Sequence, residues 1–183
     1  MASESDTRVI ADSREISRVL TRMAHQIVEA NRGSGNLLLL GIPTRGVPLG
    51  RRLADAIAAI EAPAPRLGVL DITMYRDDLR ANPTRAVGRT SIPGPIDDAV
   101  VVLVDDVLYS GRTVAAAIDA LRDLGRPRAV RLAVLVDRGH RELPISGDHV
   151  GMTLQTAPDE RVSVRLTETD GTDAIVVTRG ATR

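Results

Sequence analysis

Residues 101–113 read Val101-Val102-Leu103-Val104-Asp105-Asp106-Val107-Leu108-Tyr109-Ser110-Gly111-Arg112-Thr113, and this order of residue types sets the architecture of the chain. The apolar run from Val100 to Val104 is that of a strand buried on both faces, which is the habit of parallel sheets covered by helices. Asp105 and Asp106 are then expected at the carboxyl end of the strand, where open α/β sheets hold their ligands. Ser110 to Thr113 supplies small residues and backbone N–H groups at the start of a helix, where the dipole favours phosphate. Paired carboxylates suit hydroxyls or a magnesium ion better than an anion. The three features together describe a pocket for a sugar phosphate with a metal; an ordinary βα turn with a solvated acidic pair is the plainer alternative.

Working outward, the pattern of elements agrees with that strand. Asp12 and Glu15 have capping-box spacing, and Ile16, Val19, Leu20, Met23, Ala24, Ile27 and Val28 follow at helical intervals. Leu37 to Leu40 reads as a short buried strand that stops at Gly41-Ile42-Pro43-Thr44-Arg45-Gly46. A helix with Pro48 in its first turn comes next, and Pro63 and Pro65 lie beyond its end. A strand is expected from about Leu67 to Tyr75, then an irregular segment from Arg76 to Asp98 of the length usually reserved for function. Val114 to Leu124 gives another helix and Val130 to Val136 another strand; 137–160 reads as irregular, and Val162–Leu166 with Ala174–Thr178 as a closing hairpin. The fold class is α/β, a mainly parallel twisted sheet flanked by helices in a single domain spanning 1–183.

Composition narrows the chemistry. All 24 basic residues are Arg, which excludes P-loop, Schiff-base and kinase-type lysine chemistry but keeps bidentate phosphate binding. No cysteine is present, so disulfides, thiol catalysis and cysteine-held zinc are excluded. Phe and Trp are absent and only two Tyr occur, too few for a nucleic-acid surface built on stacked aromatics. The formal charge of zero gives no global pull toward nucleic acid or anionic membrane. With no apolar leader and no long apolar run, a soluble, cytoplasmic protein with no membrane partner is expected.

The loops after three of these strands, 41–46, 105–113 and 137–141, should converge on one edge of the sheet. Thr44-Arg45-Gly46 sets a hydroxyl, a guanidinium and backbone N–H groups before a helix, suited to a second phosphate group or, more plainly, to a helix cap.

Residues 101–113 resemble the phosphoribosyl pyrophosphate signature of the type I phosphoribosyltransferases. Further stretches narrow the resemblance to the pyrimidine operon attenuator/uracil phosphoribosyltransferase family, PyrR: Leu20-Thr21-Arg22-Met23-Ala24-His25, the 41–46 loop, Asp71-Ile72-Thr73-Met74-Tyr75-Arg76-Asp77-Asp78-Leu79, residues 119–127 and residues 132–144. The resemblance implies transfer of ribose 5-phosphate from phosphoribosyl pyrophosphate to uracil, giving UMP and pyrophosphate, with Mg²⁺ as cofactor. It implies that Asp105 and Asp106 hold the ribose hydroxyls or, through water, the metal. Arg45, with Thr44 and Gly46, would bind pyrophosphate. Val107, Leu108, Tyr109, Ser110, Gly111, Arg112 and Thr113 would hold the 5-phosphate and ribose, Asp137 and Arg138 would serve base recognition, and Val162 would be a further substrate-binding residue; for Asp137 and Arg138 a surface ion pair is the alternative. Tyr75 and Arg76 would open a lid at about 76–98, with Arg76 or Arg89 reaching pyrophosphate, and a hood would cover about 137–183.

The family's other function is uridine-nucleotide-dependent binding of pyrimidine leader mRNA, that is, transcription attenuation. Arg14, Arg18, Thr21, Arg22 and His25 recur on one helix face, a stripe able to track phosphates or else a plain solvated face. Arg141 adds to the RNA-facing positions. Ser146 and Met152 stand where many relatives carry basic residues. A homodimer or higher homo-oligomer is expected by resemblance. The alternatives are a non-catalytic, UMP-sensing RNA-binding regulator and a phosphoribosyltransferase for another base.

Overall fold

The computed structural model describes residues 7–77 and 88–179. Five parallel strands form the main sheet in the order β3 (Arg66–Val69), β2 (Leu37–Gly41), β4 (Val100–Leu108), β5 (Ala129–Asp137) and β6 (His149–Thr153). Helices α1 (Ser13–Asn31) and α2 (Gly46–Ile60) cover one face and α3 (Arg112–Leu124) the other. The period of two along the strands divides the core accordingly. Leu37, Leu39, Val100, Val102 and Val104 pack toward α1 and α2, while Leu38, Leu40, Val101 and Leu103 pack toward α3. Each such side chain, wholly removed from water, contributes about 1.5–3 kcal/mol of transfer free energy. This burial accounts for the near-continuous apolar strands.

The capping box at α1 is formed as its spacing predicts: Glu15 N–H donates to Asp12 Oδ1 and Asp12 N–H to Glu15 Oε2, both at 2.9 Å. A second, antiparallel sheet, β1 (Thr7–Ala11), β8 (Ala174–Arg179) and β7 (Glu160–Arg165), packs on the α1 side. The expected pairing of the last two strands is present, and a short helix, α4 (Thr167–Asp170), links them.

Four boundaries differ from the sequence reading. The strand expected to reach Tyr75 ends at Val69, and Thr73–Tyr75 is a 3₁₀ turn. The Asp71 carboxylate explains the break, because Oδ1 accepts both the Thr73 N–H at 2.8 Å and its hydroxyl at 2.6 Å and turns the chain. β4 runs on to Leu108, so Asp105 and Asp106 lie inside its carboxyl end rather than past it; β5, equally long, continues the ladder from Asp105 opposite Val134 to Leu108 opposite Asp137. The stretch 137–160 holds β6, hidden in sequence by Gly151. A methyl group at that glycine would come within 2.7 Å of Val19 Cγ1 on α1. Finally, the hood sketched at 137–183 has a different composition, since β6 belongs to the main sheet and the N-terminal β1 belongs to the second one. No helix among the described residues is long and apolar enough to cross a membrane.

Candidate active site

Four chain segments, with Gly88 from a fifth, meet at the carboxyl edge of the main sheet around a cavity of about 340 Å³. The loop after β2 brings Pro43, Thr44 and Arg45; the turn after β3 brings Asp71, Ile72, Thr73 and Arg76; β4 brings Asp105, Asp106 and Val107; and α3 brings Thr113. A contiguous cavity of about 210 Å³ shares Arg76, Asp105, Val107 and Thr113 and extends along Leu108, Tyr109, Ser110, Gly111 and Arg112. The sequence-predicted residues of the 44–45 and 105–113 segments are therefore brought together. Gly46 lies behind the wall, where a Cβ would stand 3.4 Å from Asp105 Cα and closer still to the Val104 carbonyl. Ile42 N–H donates to that carbonyl at 2.9 Å, which ties the 42–46 loop to β4.

The carboxylates are held by the backbone that carries them. Asp105 Oδ1 accepts the Asp106 N–H at 2.9 Å, and Asp106 Oδ1 accepts the Val107 N–H at 2.8 Å. Burial, and then the neighbouring Asp106 charge, push the Asp105 carboxyl well above the ordinary range; burial also raises Asp106. Arg76 opposes the shift at Asp105, and Arg45 opposes it at Asp106. Two like charges this close favour a cationic or hydroxyl-bearing guest. Among the described residues no three His, Cys, Asp or Glu side chains form a self-sufficient metal cage. Mg²⁺ is commonly held by one or two carboxylates together with substrate phosphates, and the adjacent carboxylates of Asp105 and Asp106 have the chemistry that would hold it.

Gly111 caps α3 with φ +94°, a left-handed conformation suited to glycine, and the first turn of α3 lines the smaller cavity. The Ser110 carbonyl accepts from Glu142 N–H at 3.0 Å and Leu143 N–H at 3.1 Å, and its hydroxyl accepts the Arg112 N–H at 3.3 Å. The Arg112 side chain bridges Asp77 at 2.5 Å and Glu142 at 2.7 Å. Arg45 forms a bidentate pair with Asp170, Nε to Oδ2 at 3.1 Å and Nη2 to Oδ1 at 2.7 Å.

Asp137 and Arg138 do not pair with one another. Burial works against the Asp137 charge, but the Arg141 guanidinium at 2.5 Å and the Gly139 N–H at 2.9 Å outweigh it and hold the carboxyl below its ordinary range. Arg138 is buried, donates to the Glu160 carbonyl at 2.7 Å and stacks 4.5 Å over the Tyr109 ring. It reaches the signature loop through that ring. Val162 lines neither cavity; its side chain is in the core facing α1 and α2.

Tyr75 is anchored away from the cavity, donating its hydroxyl to Asp123 Oδ2 at 2.6 Å, whereas Arg76 is in the cavity wall. Arg89 is exposed and follows Gly88, another wall residue. The rest of the expected lid, 78–87, lies outside the described residues. Of the residues expected to face RNA, Arg18, Thr21 and His25 are exposed along α1. Arg22 donates to the Gly151 carbonyl of β6, and Arg141 binds Ile145 O at 2.7 Å and Tyr109 O at 2.9 Å besides Asp137. Their guanidinium groups brace the protein.

Sequence reasoning passed over Asp71, Ile72, Thr73 and Gly88 as wall residues, and Asp170 and Glu142 as partners of the site arginines. Asp71 follows a strand on the same sheet edge, so the rule that located Asp105 would have located it, had β3 been ended at Val69.

A doubly covered parallel sheet with this site at its carboxyl edge defines a type I phosphoribosyltransferase. Residues 7–168 match the phosphoribosyl transferase domain family. The fold is similar to that of the hypoxanthine phosphoribosyltransferase of Trypanosoma cruzi in complex with the product IMP, with a TM-score of 0.74 at 19% identity over 98% of this chain and 97% of that one. Sequence similarity is closer elsewhere. The bifunctional protein PyrR of Leifsonia xyli subsp. xyli is 62% identical over 95% of this chain and 98% of its own length. That of Streptomyces coelicolor is 58% identical over 95% and 91%. The chain belongs to the PyrR family, as the resemblance in its loops implies, and the expected fold and enzyme class are borne out.

Proposed function

We propose that this chain transfers the phosphoribosyl group of phosphoribosyl pyrophosphate to uracil, and that a uridine nucleotide in the same pocket governs its binding to pyrimidine leader RNA. The carrying observation is the convergence of Asp105, Asp106, Arg45 and the first turn of α3 on contiguous cavities. The N–H groups of that turn, with the Ser110 and Thr113 hydroxyls, bind the 5-phosphate. The carboxylate oxygens of Asp105 and Asp106 that are not engaged by the backbone accept the ribose hydroxyls and favour the positive charge that grows on the ring. Mg²⁺, when bound there with the substrate, neutralises charge on the departing pyrophosphate. Arg45 and Thr44 hold its phosphates, and Arg76 reaches them from the opposite wall. Positioning and electrostatics carry the rate, with no covalent enzyme intermediate. Tyr109, with the Arg138 guanidinium over its ring, borders the base.

The test is UMP formation from uracil and phosphoribosyl pyrophosphate with Mg²⁺, beside an Asp105→Asn, Asp106→Asn double variant and with hypoxanthine as competitor. Turnover with uracil that is lost in the variant and unaffected by hypoxanthine supports the reading. A folded protein that binds UMP without turnover is a nucleotide-sensing regulator instead.

The exposed Arg14, Arg18 and His25 on α1 support the regulatory half. Arg18→Ala should weaken leader-RNA binding and lower its salt slope by about 1.

A further inference from the structure

We infer that Asp170 is a positioning residue for the transfer reaction: from the second sheet it sets the orientation of the Arg45 guanidinium at the pyrophosphate end of the cavity. The inference rests on the reading of Arg45 given above. Arg45 precedes the first residue of α2 and is two helical turns before Arg52, so both project toward the link between β7 and β8. That link answers with three carboxylates. Glu168 and Asp173 take Arg52, at 2.6 and 2.7 Å, and Asp170 takes Arg45.

Asp170 is itself fixed from behind. Its Oδ2 accepts the Leu166 N–H at 2.9 Å and the Thr169 hydroxyl at 2.8 Å, in addition to Arg45 Nε, and its Oδ1 is given to Arg45 Nη2. These bonds, the hydrogen bond from Arg45 foremost, hold its carboxyl far below the ordinary range, so it is ionised wherever the enzyme works. A guanidinium has five N–H donors in a rigid plane. The bidentate pair uses the Nε edge and one hydrogen of Nη2, and the plane it defines fixes where the other three point. Arg45 is a wall residue of the cavity that holds Asp106, and its charge is felt at the Asp106 carboxyl, so the unused edge belongs to the site. Without Asp170 the same side chain is a long rotor on a helix terminus, free to turn into solvent. The rigid cavity would then lose orientation, not charge.

Asp170→Asn isolates this role. An amide oxygen in the place of Oδ2 keeps the Leu166 and Thr169 bonds that shape the link, while the partner of Arg45 Nη2 is lost. Steady-state kinetics with phosphoribosyl pyrophosphate and uracil are to be measured for wild type, Asp170→Asn, Arg45→Ala, the double variant and Glu168→Gln, which alters the same link without touching Arg45. Asp170→Asn should lower kcat/KM for phosphoribosyl pyrophosphate about tenfold, leave KM for uracil unchanged, and have no further effect once Arg45 is Ala. The inference is overturned if Asp170→Asn behaves as wild type, if its defect is undiminished in the Arg45→Ala background, or if Glu168→Gln shares it. Wild-type behaviour of Arg45→Ala would instead remove the reading of Arg45 as a pyrophosphate ligand.

Discussion

Asp105 accepts the backbone N–H of Asp106 at 2.9 Å, and this bond links two half-buried carboxyl residues at the end of a central strand. Burial raises both above their ordinary range, and the Asp106 charge adds to the rise at Asp105, so their charge works against the folded state. Asp105→Asn keeps an acceptor for the Asp106 N–H and removes one charge. The variant should therefore lose at least about a hundredfold in kcat/KM while melting at or above the temperature of the parent. Thermal unfolding and UMP formation on one preparation check both halves; a variant that is inactive because it melts early contradicts the argument.

Tyr75 to Asp123 is the second connection that matters to the site, for it ties the turn bearing Thr73 and Arg76 to the outer end of α3. The pair is at the surface, so its worth is in placement rather than in stability. Tyr75→Phe should shift Tm by no more than about 2 °C. Its kcat/KM for phosphoribosyl pyrophosphate should nevertheless fall severalfold, because Arg76 loses its footing on the wall. Steady-state kinetics with the melting curve decide it.

How much of this could be read beforehand follows from where the deciding interactions lie along the chain. The β4–α3 unit is local: an apolar run buried on both faces, a carboxylate pair and a glycine in the left-handed region leave few alternatives, and the site residues from Asp105 to Thr113 were legible for that reason. The α1 capping box is legible on the same ground, its partners being three residues apart. Asp170 was not legible, since it meets Arg45 across 125 residues of chain. β6 was hidden because its one glycine is demanded by the Leu135 carbonyl of β5 and by α1 packing over it, and β3 was overextended because a side-chain bond at Asp71 ends it. Arg138 illustrates the same limit. Beside Asp137 in sequence it reads as an ion pair, yet alternate residues of a strand end face opposite ways, and each found a different partner.

Arg138 also supports a prediction of its own. Its guanidinium donates to the Glu160 carbonyl at 2.7 Å and to Thr156 Oγ1 at 3.2 Å while its Cζ sits 4.5 Å over the Tyr109 ring, a combination of forked donors and ring contact that lysine cannot supply. Arg138→Lys should cost about 2 kcal/mol of stability through carbonyls left without a donor. On the proposed placement of the base beside Tyr109, it should also raise KM for uracil more than KM for phosphoribosyl pyrophosphate. Urea unfolding measures the first effect and substrate titrations the second; equal changes in the two KM values would place the role of Arg138 in the scaffold alone.

His149 gives the protein a dependence on pH that is separate from catalysis. The residue is 5% exposed at the start of β6, and its Nε2 is buried without a hydrogen-bond partner among the described residues. Burial, assisted by Arg131 and opposed by Asp148, lowers its pKa from the ordinary 6.5. The unfolded chain then binds a proton at a higher pH than the folded one does, so stability rises with pH across the interval between the two values. The contribution is complete above about pH 6.5 and declines as the pH falls below it toward the folded-state pKa. Denaturant unfolding should show a less stable protein at pH 5.5 than at pH 7.5. In His149→Leu that part of the slope should vanish, with stability at pH 7.5 within about 1 kcal/mol of the parent because the site offers the imidazole nitrogen no partner to lose. An unchanged slope in the leucine variant would assign the pH dependence to other groups.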